Sequence, residues 1–323
     1  MSEIVKEVWR TIRNKNIEEL QVKYDDIKVY DTYCRDIIKN GNYRISPPLI
    51  KPSKLASKEK GGVGKDLSEG WGLNFSIGCA HGCIFCYANQ IHKRRLGKLL
   101  SGIPWGKYLF VPENFDEAIA KTPWKKWEGK EVLMSATHDP YLPQLYGYAR
   151  KILETALPHG VRFCIQTRSP YVLRDLDILE NYKDQIRIQV SIATFNSRLY
   201  KTIEPCVVSP RDRLKIIEEF KERNIKTGVI IAPIFPPNEL RPDFLEDLTG
   251  IFETLTEVRP DHVFGEILHM RGSNMRLIET SLGEKFSKAK LNEFDEIAGK
   301  TFKKLVSKYD LEGDWWPEYK KCI

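Results

Sequence analysis

Three thiols stand close together in NFSIGCAHGCIFCYAN, residues 74–89: Cys79, then Cys83 after three residues, then Cys86 after two. Three thiolates on one short loop can hold three irons of a 4Fe-4S cube and leave the fourth iron open to another ligand. Gly78 and Gly82 would let the backbone curl closely around such a cluster. The same residues admit a second chemistry, a structural zinc completed by His81. Zinc of that kind usually takes its ligands as two separated pairs, which this segment does not offer.

The other thiols, Cys34, Cys164, Cys206 and Cys322, are isolated along the chain. Seven cysteines is an odd number with only three clustered, so a disulfide framework is not expected. Cys164 lies in an apolar run and reads as core packing. Cys322, beside Trp315, Trp316 and Tyr319 in WWPEYKKCI, is a candidate hydrogen donor or extra ligand if that tail closes over a site; an incidental terminal thiol is the alternative.

The elements that must position the thiols come from apolar periodicity. Runs rich in β-branched residues occur at 73–77, 131–136, 162–167, 186–193, 226–233 and 261–268. Helical spacing follows or separates them after Tyr87 and at 145–157, 211–222, 243–257 and 284–309; Leu214, Ile217 and Phe220 share one face. Strand then helix, repeated, predicts an α/β fold with a parallel sheet, either an incomplete barrel or an open doubly wound sheet. Residues 1–70, broken by Asn-Gly, Pro-Pro and a basic glycine-bearing stretch, read as an N-terminal extension wrapping the main domain.

With 323 residues, 41% of them apolar, the chain can bury a large core. No apolar run is long enough for a membrane span and the first residues lack a secretory h-region, so a cytoplasmic protein is expected. The excess of 51 basic over 44 acidic residues is spread along the chain and is weak support for an anionic partner.

The cysteine spacing directly after the first strand of a repeating β/α chain resembles the radical S-adenosylmethionine superfamily. Within it, GCAHGCIFCYAN, SATHDP, QTRSP, QVSIATFN with IEP and RDRL, and VIIAPIFPP resemble the branch that contains spore photoproduct lyase. The resemblance implies a partial (β/α)6 TIM-type barrel at 71–270, packed by the extension at 1–70 and closed by a helical extension at 271–323. It implies a 4Fe-4S cluster on Cys79, Cys83 and Cys86 whose open iron chelates S-adenosylmethionine. Reductive cleavage would then give a 5′-deoxyadenosyl radical that takes hydrogen from a substrate.

Carried over position by position, Tyr87, His138, Asp139, Arg168, Ser191 and Ala232 would line the S-adenosylmethionine pocket, with Arg168 where the family carries a lysine. Glu204 and Arg213 are candidates for a buried pair beside it. Tyr87 and Cys322 are the candidates for a catalytic part. Photoproduct lyases return a hydrogen atom from a cysteine shortly before the Asp-Pro pair; that position here is Ala136, so the lyase's substrate does not transfer.

Substrate classes therefore stay open among nucleic acid, peptide and small molecule, as do methylase or modifier roles and a zinc-stabilised nucleic-acid-binding module without catalysis. The run His92 to Lys98 and the segments Trp124 to Trp127 and Trp315 to Tyr319 mix cations with aromatics, which suits stacking on bases, or a core edge under snorkelling stems. A one-electron donor such as a ferredoxin or flavodoxin is implied, with His92 to Lys98 as a docking surface. A monomer is expected.

Overall fold

The computed structural model describes residues 37–53, 68–270 and 273–316. In chain order its elements are β1 (Lys39–Tyr43), β2 (Ile50–Pro52), β3 (Trp71–Leu73), α1 (Ala88–Leu96), β4 (Tyr108–Pro112), α2 (Phe115–Ala120), β5 (Glu131–Met134), α3 (Tyr146–Ala156), β6 (Arg162–Thr167) and α4 (Leu176–Asn181). There follow β7 (Ile186–Ile192), α5 (Ser197–Ile203), α6 (Pro210–Glu222), β8 (Lys226–Ile234), α7 (Phe244–Val258), β9 (His262–Ile267), α8 (Ser273–Leu282), α9 (Lys288–Lys308) and β10 (Gly313–Trp316).

The long helices start where side chains satisfy their first free N–H groups. Ser209 caps α6 ahead of Pro210, Asp243 caps α7 through the amide of Glu246, and Ser287 caps α9 through that of Lys290. Each then buries one stripe; in α6 it includes Leu214, Ile217 and Phe220, the face expected from their spacing.

Eight strands form one sheet in the order β10-β9-β8-β7-β6-β5-β3-β2, parallel throughout except for the antiparallel pair β2 and β3. The six parallel runs expected from the sequence are its centre. The architecture is an α/β fold with a mixed sheet and flanking helices, consistent with a partial barrel; among the described residues β2 and β10 are its two edges and do not pair with each other. β1 and β4 pair separately as a parallel ribbon.

Three differences from the periodicity have physical causes. The first run leaves the sheet after Leu73 rather than continuing to Ile77, because Asn74 turns to bind the loop after β5 and Ile77 bridges to Phe110. The third expected run stops at Thr167, but the second stops short at Met134 because Ser135 and Ala136 bond Asn74 instead. The C-terminal stretch is not only helical: β10 adds a strand beside β9, and Gly265 gives its Trp315 room, since a Cβ there would lie 2.7 Å from the indole. Four residues, GDWW, are too few for a periodic signal.

Candidate active site

The chain curls between β3 and α1 to carry the three cysteines. Gly78 makes the turn possible: its φ is +97°, and a Cβ would sit 2.2 Å from the carbonyl oxygen of Tyr108. Cys79 and Cys83 are buried, and Cys86 is half-buried. Trp105 fastens the loop by donating from Nε1 to the carbonyl of Cys83 (3.0 Å). Asn274 on α8 does so from the other side, donating to the carbonyl of Phe85 (3.0 Å).

Opposite this loop, Asn74 organises residues 135–137. Its Oδ1 accepts from the hydroxyls of Ser135 (2.9 Å) and Thr137 (3.0 Å) and from the amides of Ala136 (2.9 Å) and Thr137 (3.1 Å). Tyr87 donates its hydroxyl to the carbonyl of Ala136, tying the first turn before α1 to the end of β5.

All three cysteines and all six residues carried over from the resemblance line one cavity, of about 1270 Å³ including its mouth, at the carboxyl ends of the parallel strands. That is where ligands bind in parallel α/β sheets. Within it the side chains differ in what they do. Asp139 is spent on backbone: it accepts from the amides of Tyr141 (2.9 Å) and Arg168 (2.7 Å) and from the hydroxyl of Thr167 (2.7 Å). Ser191, fully buried, accepts from the amide of Gln166 (3.2 Å). Ala232 forms part of the apolar wall with Ile230.

A buried ionic node underlies the cavity. Glu204 receives Arg168 Nε on one oxygen (2.8 Å) and the fork of Arg213 on both, while Arg213 also donates to the carbonyl of Ser191 (2.6 Å). The pair Glu204–Arg213 is thus the brace expected for it, with Arg168 as a third member. Burial opposes ionisation of Glu204, yet Arg213 and Arg168 hold its pKa below the usual range. Two guanidinium groups on one carboxylate leave the node cationic.

Three imidazoles surround the loop in neutral form. Burial pushes His81 down to about 4, against the pull of Asp139, 3.6 Å from its Nδ1. Burial takes His92 to about 4 and His138 to about 3, each packed against aromatic rings. Ser135 lies 3.1 Å from His138 Nδ1.

The donor set fits an iron–sulfur cluster: three thiols on one loop, two of them shielded from water, facing a cavity edged by buried imidazole nitrogens of His81 and His138 that bond no protein group. Burial pushes the thiols of Cys79 and Cys83 above their usual range, Asp139 adding to the effect at Cys79. Ligation would therefore release protons. No three His, Cys, Asp or Glu side chains among the described residues are gathered as ligands of a single ion, and His81 faces Asp139 rather than a Cys3His set.

Asn74, Ser135 and Gln166 carry no ligand or catalytic signal in the sequence; Glu266, within β9, and His269, which faces it from just beyond that strand, also line the cavity, where no polar cluster signals them. Cys322 and Tyr319 lie outside the described residues. Of the two readings of the Trp-Lys segments, the core edge is the one found. Trp124 and Trp127 are buried, the latter edge-on to Trp71 at 6.0 Å, because they cover the core beneath α2 and β5. Trp316 is buried flat against Phe264 (4.5 Å), and Trp315 donates to Asp295. His92 lies beneath α1, not on its basic face.

Residues 73–249 match the family model described as the Radical SAM superfamily. An uncharacterized protein of Acidianus two-tailed virus is 55% identical over 293 residues, 89% of this chain and 96% of that protein. A Radical SAM Nalpha-GlyT isomerase of Pseudomonas phage M6 is 23% identical over 221 residues, 68% of this chain and 43% of that protein. Among solved structures, spore photoproduct lyase complexed with dinucleoside spore photoproduct superposes with a TM-score of 0.60 at 15% identity, covering 87% of this chain and 82% of that one. The fold is shared with that branch. No described helix is long and apolar enough to cross a membrane.

Proposed function

Because the chain belongs to the radical SAM superfamily, we propose that Cys79, Cys83 and Cys86 hold a 4Fe-4S cluster in a partial (β/α)6 barrel and that the cavity beside them binds S-adenosylmethionine. Bound together, these groups supply one-electron cleavage of the sulfonium to methionine and a 5′-deoxyadenosyl radical that takes hydrogen from the substrate. The observation that carries this reading is the convergence of the three cysteines, Tyr87, His138, Asp139, Arg168, Ser191 and Ala232 on one cavity.

The roles follow from the contacts. Arg168, held by Glu204 through Nε, offers a fixed cation to a carboxylate. Ser191 and Gln166 present a hydroxyl and an amide to the sugar or the amino acid, and the strand end at Ala232 presents backbone groups to the adenine. Neutral His81, His92 and His138 crowd the loop without adding charge, and the apolar wall keeps water from a reactive carbon centre.

The fold shared with spore photoproduct lyase does not bring that enzyme's substrate to this chain, and nucleic acid, peptide and small molecule remain the candidate classes. Ala136, on the cavity wall, has no thiol to return a hydrogen atom. It suits a reaction in which 5′-deoxyadenosine itself gives the hydrogen back, an isomerisation of the kind named for the phage relative, better than dimer splitting.

Anaerobic reconstitution is expected to give a brown protein with bound iron and sulfide that releases 5′-deoxyadenosine under dithionite, and the triple change of Cys79, Cys83 and Cys86 to Ala to abolish both. A colourless zinc protein, or 5′-deoxyadenosine from the triple variant, would refute the reading.

A further inference from the structure

Between Glu69 and Glu113 the chain holds no Asp or Glu, while Lys93, Arg94, Arg95, Lys98 and Lys107 all fall in that interval. The cysteine loop and α1 lie inside it. Four of these cations sit on or just after α1, and Lys93, Arg94, Arg95 and Lys98 are exposed. The helix begins two residues after Cys86, the least buried of the three thiols. The cationic face and the cluster loop are therefore one continuous piece of structure.

Apolar surface lies beside that charge. Leu99 is 46% exposed and Ile38 67% exposed, two of only a few large apolar side chains on the surface of the described residues. The two segments are tied together: Lys39, next to Ile38, donates from Nζ to the carbonyl of Leu99 (3.1 Å). An apolar centre rimmed by like charges is how a transient protein interface is built, the centre giving contact and the rim steering the encounter. A nucleic-acid face would pair cations with exposed aromatic rings, and the tryptophans that could serve are buried elsewhere.

We infer that α1 with Leu99 and Ile38 is the docking face for an acidic one-electron carrier protein that reduces the cluster; this rests on the cluster assignment above. One electron moves. In a flavoprotein carrier, the flavin hydroquinone is oxidised to the semiquinone and one ferric iron of the cluster becomes ferrous. The proton lost by the flavin goes to solvent. Acidic residues around the carrier's redox group would meet Lys93, Arg94 and Lys98, and attraction across the contact would decay within a Debye length, about 10 Å at 0.1 M salt.

The test separates the carrier's route from a small reagent's. Reconstituted protein and the variant Lys93→Glu/Arg94→Glu/Lys98→Glu are mixed anaerobically with photoreduced acidic flavodoxin, and bleaching of the visible cluster band is timed. For the parent, the rate should fall steeply with ionic strength. For the variant at low salt, it should fall at least about tenfold and lose its salt dependence, because rim charges act on the encounter rate. Reduction by dithionite should be equal in both. A variant that the flavodoxin reduces as fast as the parent, or a parent that it does not reduce, overturns the docking face. So does an oligonucleotide that binds the parent at this face and not the variant while leaving flavodoxin reduction unaffected. A parent that takes up no iron and sulfide points to failure of the cluster assignment instead.

Discussion

The face of the sheet that carries the cavity is divided between a floor and a mouth that share the same strands. Leu133, Cys164 and Phe264 pack into the floor with Ile230 and Trp316. Two residues further along β6 and β9, on the same face, stand Gln166 and Glu266, which line the cavity together with Ser135 just past the end of β5. The floor is dry: burial pushes the Cys164 thiol up to about 12, so it stays protonated and packs as a small apolar group. The mouth holds a buried carboxylate between two arginines and three neutral imidazoles. One step of strand alternation, about 6 to 7 Å, separates the two environments. Fold stability thus leans on apolar packing in one and on satisfied polar groups in the other, and the two should fail differently.

The largest failure belongs to the mouth. Glu204→Ala leaves Arg168 and Arg213 facing each other without their shared carboxylate, and breaking a buried pair in this way costs about 3–5 kcal/mol. Urea unfolding of the cluster-free protein should show it; a loss below about 1 kcal/mol would mean that the node is not what holds the mouth.

How much of this was legible divides along the same line. Apolar runs disclosed the floor and all six central strands, because alternation and β-branching write packing into the chain locally. The cysteines and the phrases that resemble a family disclosed much of the mouth. Asn74 escaped, since its four acceptor contacts join segments 60 residues apart, and no local pattern records such a partner. Glu266 and His269 escaped for a different reason: they lie three residues apart, and one acid with one histidine makes no recognisable cluster. Trp124 and Trp127 admitted two readings, because an aromatic beside a lysine looks the same whether the ring covers a core or a base, and burial decides for the core.

A pH series gives a smaller effect. His92 and His138 have folded pKa values near 4 and 3, below the ordinary 6.5, so the folded state binds fewer protons than the unfolded chain. Their contribution is complete above pH 6.5 and is lost as pH falls toward those values. Between pH 6.5 and 5 each imidazole should remove on the order of 2 kcal/mol, while Asp175, which burial raises to about 6, gains its proton in the folded state and offsets part of that loss. Urea midpoints of the cluster-free protein measure this, and since His81 shares the effect with His92 and His138, His138→Asn should flatten the slope by about a third; an unchanged slope would place the imidazole in contact with water.

The floor should give the smallest change. Phe264→Leu trades one apolar side chain for another at about 1 kcal/mol or a little more, read from thermal unfolding. The reconstituted cluster should keep its visible spectrum. An altered spectrum would show that floor and mouth are mechanically one unit.

β10 is last in the chain, and it supplies Trp316 to the floor of a cavity whose cysteines stand more than two hundred residues earlier. During synthesis from the N-terminus, the cysteine loop therefore leaves the ribosome long before the wall that shields it. The growing polypeptide spends that interval with open thiols and an unsealed flank beside β9. The pocket that the three cysteines face is complete only once the last described strand has been made.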